Sequence, residues 1–193
     1  MKQAPELAKM VRVYNAKKYA DVAAMFNQTY KKYRYLGWEC LTVLVAAKAL
    51  SNLGKTTEAI SKLELVKKKS KNPTEAKEYF KVKRLLAELY VQNSDFDKAK
   101  NALKDLSQSN DDSIVAFANN IRGDIYAKEG KTRDAVIEYA KTALLFEKNN
   151  KKERPKALRK IVKLLRQEKN NKAKNFEKIL RQDYPNSKYL QDL

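Results

Sequence analysis

The sequence predicts an all-α fold, a solenoid of about five helical hairpins, on three observations. Apolar residues recur at i, i+3, i+4 and i+7 along most of the 193 residues, the period of a helix with one buried face. The four prolines, Pro5, Pro73, Pro155 and Pro185, stand at the edges of these runs and never inside them, because proline lacks the N–H of an interior helical turn and its ring clashes there. A small residue recurs at Val22, Ala59, Ala99, Ala135 and Ala173, at separations of 37, 40, 36 and 38 residues. No stretch alternates β-branched with polar residues for the length of a strand.

The five hairpins are expected over 5–35, 38–71, 74–108, 113–149 and 155–193. In the first, Val22 takes the small position, with Phe26 four residues on. The second breaks at Gly54-Lys55-Thr56-Thr57, with Leu50 nine residues before Ala59 and Leu63 four after it. The third breaks at Asn93-Ser94-Asp95 and repeats the frame with Tyr90, Ala99 and Leu103. The fourth breaks at Gly130-Lys131-Thr132 and repeats it with Tyr126, Ala135 and Tyr139. In the fifth, Leu164 lies nine residues before Ala173. A small residue lets the second helix of a hairpin approach the first, and the bulky residues fill the groove on either side. The outer copies are fainter, as expected of terminal repeats that act as caps.

This frame resembles the tetratricopeptide-repeat family, whose hairpin carries a small residue early in helix A, then a large aromatic, then an alanine early in helix B. Gly123, Tyr126, Gly130, Ala135 and Tyr139 stand at the family spacing; so do Ala87, Tyr90, Phe96, Ala99 and Leu103, and Ala47, Leu50, Gly54, Ala59 and Leu63. Pro185 follows Ala173 by twelve residues, where the family places its closing proline. The ending Tyr184-Pro185-Asn186-Ser187-Lys188-Tyr189 is similar to that of a bacterial envelope branch, so the resemblance implies a bacterial protein. The periods exceed the family's 34, which calls for longer helices or linkers, most of all between the second and third hairpins. The resemblance implies a right-handed α-α superhelix forming a single domain over 1–193. It also implies a protein or peptide partner held in a concave groove lined by the A helices. The matching groove positions are Leu44, Lys48 and Asn52, then Arg84, Glu88 and Gln92, then Asn120, Asp124 and Lys128. Spacing by four puts each trio on one helix face. The family's carboxylate clamp needs basic or amide residues at these steps, and Glu88 and Asp124 would repel a carboxylate. The face is therefore either a solvated mixed-charge surface or a peptide groove of another chemistry.

Composition narrows the chemistry. Without histidine there is no imidazole base, no Ser-His-Asp or Cys-His triad and no His-metal site. The lone Cys40 precludes intrachain disulfides and thiolate zinc clusters, and beside Leu41 and Val43 it reads as a small buried hydrophobe. Four glycines form neither a dinucleotide fingerprint nor a P-loop. Asp95/Asp97 and Asp111/Asp112 read as turn and cap residues. No catalysis, cofactor or metal is expected.

Lys+Arg number 42 against 23 Asp+Glu, a net charge of +19. Residues 1–147 carry +9 and residues 148–193 carry +10. Lys148, Lys151, Lys152, Arg154, Arg159, Lys160, Lys163 and Arg166 form a basic patch, and Lys67, Lys68, Lys69 and Lys71 form a second cluster. An alternative function follows: a basic adaptor that meets an anionic surface, whether nucleic acid, acidic protein or membrane, through its C-terminal hairpin. Nucleic acid is disfavoured by 33 lysines to 9 arginines, by 15 asparagines that suggest a compositional bias, and by the fit of Lys67–Lys69 to a helix C-terminus. The run Tyr30, Tyr33, Tyr35, Trp38 could stack bases beside Lys31, Lys32 and Arg34, or pack the seam between the first two hairpins. No signal-peptide core and no apolar run of spanning length is present. The compartment stays open: the chain as it stands reads as soluble and cytoplasmic, or as periplasmic or cell-envelope if a leader was removed.

Overall fold

A computed structural model describes residues 4–66, 73–146, 150–191 and 193, with 73–76 as backbone alone. The described residues form ten α-helices and a short 3-10 turn, with no strand. They divide into two compact units, 1–102 and 103–193.

The first unit holds α1 (Pro5–Asn15), α2 (Tyr19–Tyr33), α3 (Glu39–Asn52), α4 (Thr56–Leu63), α5 (Pro73–Gln92) and the start of α6 (Phe96–Ser107). Here α3 is the central helix, packed against α1, α2, α4 and α5. That position explains its composition: nine of its residues, from Cys40 to Leu50, are buried. The second unit holds the end of α6, then α7 (Asp112–Lys128), α8 (Thr132–Leu145), α9 (Glu153–Gln167), α10 (Ala173–Asp183) and the 3-10 turn Lys188–Leu190. In it α7 packs on α8 and α9, and α9 packs on α8 and α10.

The prolines act as sequence logic requires. Pro5 and Pro73 open α1 and α5, Pro155 sits in the first turn of α9, and Pro185 follows the end of α10. Asp111 caps α7, its carboxylate accepting the Ser113 N–H at 2.8 Å. Between Ala59 and Ala99 lies α5, at 20 residues the longest helix among the described residues.

Each A-to-B turn is closed by the same backbone device. One residue takes the left-handed region: Lys17 (φ 59°), Gly54 (74°), Ser94 (61°), Gly130 (75°) and Lys169 (54°). The N–H of the next residue then reaches back five positions: Lys18 to the Val13 carbonyl, Lys55 to Leu50, Asp95 to Tyr90, Lys131 to Tyr126 and Asn170 to Leu165, at 2.8–3.2 Å. The device corrects the frame of the fifth hairpin. Leu165, which is buried, takes the place of Leu50, Tyr90 and Tyr126; Leu164 is only half-buried. The link from this turn to Ala173 is one residue shorter than in the other hairpins.

All five small residues of the frame are buried. In the second unit, Ala135, Tyr139, Ala143, Ala157, Leu158, Ile161, Leu165, Ala173, Leu180 and Tyr184 make one core. Helices α7 and α8 come close at Gly123 on α7, where a Cβ would overlap the ring of Tyr139 on α8. Only glycine fits there.

Candidate functional site

The predicted groove positions divide by exposure. On α3, Lys48 and Asn52 are exposed, and the Asn52 amide donates to the Lys48 carbonyl at 2.7 Å. Leu44 is a correction: it is 3% exposed and belongs to the core, because α3 is enclosed on several sides. On α5, Arg84 and Glu88 are half-buried and Gln92 is exposed.

In the second unit the packing of α7 beside α9 reassigns the third trio. Asn120 is 0% exposed, a second correction: its amide nitrogen donates to the Glu153 carbonyl at 3.0 Å and to the Glu153 carboxylate at 3.2 Å. Its Oδ1 is buried without a hydrogen-bond partner. Asp124 accepts the Tyr139 hydroxyl at 2.6 Å and forms an ion pair with the Lys160 ammonium. Lys128, one turn on, is exposed. Burial and then the Asp124 charge push the Tyr139 hydroxyl far above the ordinary tyrosine range. Burial lowers the Lys160 pKa, outweighing the Asp124 carboxylate.

The basic set changes as well. Arg154 is a core residue, 9% exposed, and not a surface cation. Its Nε donates to the Ala143 carbonyl at 2.8 Å, and its Nη1 to Asp183 at 2.7 Å and to the Tyr184 hydroxyl at 3.2 Å. Arginine suits this place because its fork of donors ties α8, α9 and the end of α10 together. Lys160 is mostly covered and faces Asp124. Arg166 is exposed, paired with Glu177 and donating to the Leu193 carbonyl at 2.7 Å. Lys151, Lys152 and Lys163 are exposed and Arg159 is half-buried. Lys148, like Lys67–Lys69 and Lys71, lies outside the described residues.

Sequence reasoning missed Lys156, half-buried and close enough to Lys160 to lower its pKa. Its i, i+4 spacing to Lys160 was the available signal. At about 100° per residue, Lys156, Arg159, Lys160, Lys163 and Arg166 fall within roughly 120° of arc on α9, opposite its apolar residues.

The aromatic run also divides. Tyr33 is buried, its hydroxyl donating to Glu6, which also pairs with Lys32; Tyr30 donates to Glu39 at 2.8 Å. Tyr30 thus reaches the second hairpin, as the seam reading expects, whereas Tyr33 bonds back to α1 within the first. Tyr35 does neither: it is 82% exposed. Cys40 is buried. Among the described residues, no group of three or more Cys, Asp or Glu side chains is arranged to hold a metal ion, and no helix is long and apolar enough to cross a membrane.

Stacked helical hairpins with a repeating small-residue frame, presenting polar helix faces, define a helical-repeat protein. Residues 2–165 match the tetratricopeptide repeat-like domain, and the chain belongs to that family. Repeat domains of this family generally mediate protein–protein interaction. No curated protein matches the chain.

Proposed function

We propose that the chain is a non-catalytic interaction scaffold that holds an acidic segment of a partner protein against the α7–α9 face of its second unit. The observation that carries this reading is the engagement of Asp124 by Lys160 and Tyr139. The repulsion expected of a free Asp124 lapses once its charge is matched. Lys128, Lys156 and Lys163 then remain as cations with no carboxylate at ion-pair distance among the described residues. The Asp124–Lys160 ion pair, which joins one residue expected in the groove to one expected in the basic patch, supports reading the two sets together. Rigid hairpins favour binding by preorganisation, lowering the ordering cost of capturing an extended or helical segment. Lys48, Asn52, Arg84, Glu88 and Gln92 offer a corresponding mixed-charge face in the first unit.

Affinity capture with the full chain tests the reading. K128E/K163E should release a captured protein that K151E/K152E retains, and capture untouched by K128E/K163E would overturn it. The basic adaptor is the second reading, favoured by the five cations on one face of α9. It predicts steep loss of binding between low and physiological salt for any polyanion, without selection among acidic sequences.

A further inference from the structure

Seven large apolar side chains stand exposed among the described residues, and two of them, Tyr35 (82%) and Leu36 (64%), sit together at the tip of the turn joining α2 to α3. The tip is a built turn. The Leu36 N–H bonds the Tyr33 carbonyl at 3.0 Å, and Gly37 takes φ 77° to bring the chain round to Trp38. The Arg34 guanidinium lies over the Tyr35 ring, 4.5 Å from its centroid, and Lys31 and Arg34 are both exposed. The only tryptophan, Trp38, stands half-buried at the foot of the turn.

Tyr35 and Leu36 are the most exposed apolar residues the tip offers a ligand. A base-stacking platform would need open aromatic faces; here Arg34 covers one face of Tyr35, and Leu36 has no π-face. An apolar point with an amphipathic ring, flanked by cations, has the composition of a segment that sits at a membrane–water interface. In the second unit, Leu144 and Leu145 stand exposed at the end of α8, with Lys151 near in sequence. The net charge of +19 supplies long-range attraction to an anionic leaflet.

We propose that the α2–α3 tip docks on the surface of an anionic lipid bilayer. Tyr35 and Leu36 enter the boundary between headgroups and acyl chains, and Lys31 and Arg34 meet lipid phosphates. The interaction is peripheral.

The experiment mixes the full chain with vesicles of phosphatidylcholine containing about one third phosphatidylglycerol, a composition with a clearly negative surface. Trp38 is the reporter. Its emission should shift to the blue and be quenched by brominated acyl chains, and pure phosphatidylcholine should bind far more weakly. Y35S/L36S should lower vesicle affinity about tenfold or more and abolish the quenching, since both apolar anchors are gone. Its melting temperature should match the parent's, because both side chains are exposed. Unchanged affinity in Y35S/L36S would mean that charge alone binds the vesicles, and the proposal would fall. An unquenched Trp38 in the bound parent would also overturn it. So would oligothymidylate binding that Y35S/L36S likewise loses, which would assign the tip to nucleic acid.

Discussion

Glu6 shows how one side chain joins two helices. Hydrogen bonds from Lys32 and then Tyr33 hold its carboxyl near pKa 2, against an ordinary 4.5. A folded-state pKa below the unfolded one contributes stability that is present above the unfolded value and lost as pH falls through the folded value. The chain should therefore lose stability between pH 4.5 and about 2. Glu6→Gln should flatten that part of the profile, as measured by urea unfolding at stepped pH. Gly123 carries a different constraint, imposed by space. Gly123→Ala forces a Cβ into the Tyr139 ring and should destabilise by about 1–3 kcal/mol in calorimetry. The left-handed residues give predictions of opposite sign. Lys17→Gly and Ser94→Gly relieve a strained φ and should stabilise by roughly 0.5–1 kcal/mol, whereas Gly54→Ala and Gly130→Ala should destabilise by about 1 kcal/mol.

At the scale of the element, the small residues govern how closely helices cross. Ala99→Leu and Ala135→Leu each place a bulky chain at a fully buried crossing and should cost about 1–3 kcal/mol; wild-type melting would mean that the crossing is elsewhere. These crossings were legible in the sequence because a buried small residue recurring every 36 to 40 residues leaves a periodic trace. The fifth hairpin was legible only to within one residue. Its turn uses Lys169 where Gly54 and Gly130 stand in others, so no glycine marked the register, and the backbone bond to Leu165 had to be seen. The candidate site was harder to read, because charge and exposure are properties of neighbours. Nothing local to Arg154 distinguishes it from Lys151 or Lys152; its burial comes from Asp183 and Tyr184, some thirty residues on. Asp124 looked like a repulsive carboxylate because Lys160 lies 36 residues away. Leu44 looked like a groove residue because spacing fixes a helix face but does not say how many neighbours enclose it.

For the whole molecule, the net charge of +19 sets a background on which any specific binding must be read. Affinity for polyanions should fall with salt along a log–log line, as counterion release requires. Binding of an acidic segment at the α7–α9 face should show a shallower slope, because few phosphate-like contacts are made there. Comparing the two slopes for the parent and K128E/K163E separates the background from the site. The division into two units has a practical consequence for fragments. Its boundary, between Ala102 and Leu103, falls inside α6, so a fragment cut there inherits the frame residue Ala99 without its partner Leu103. Each half would begin or end in a truncated helix with unmet backbone groups. Fragments that end before Phe96, or begin after Ser107, would keep their helices whole.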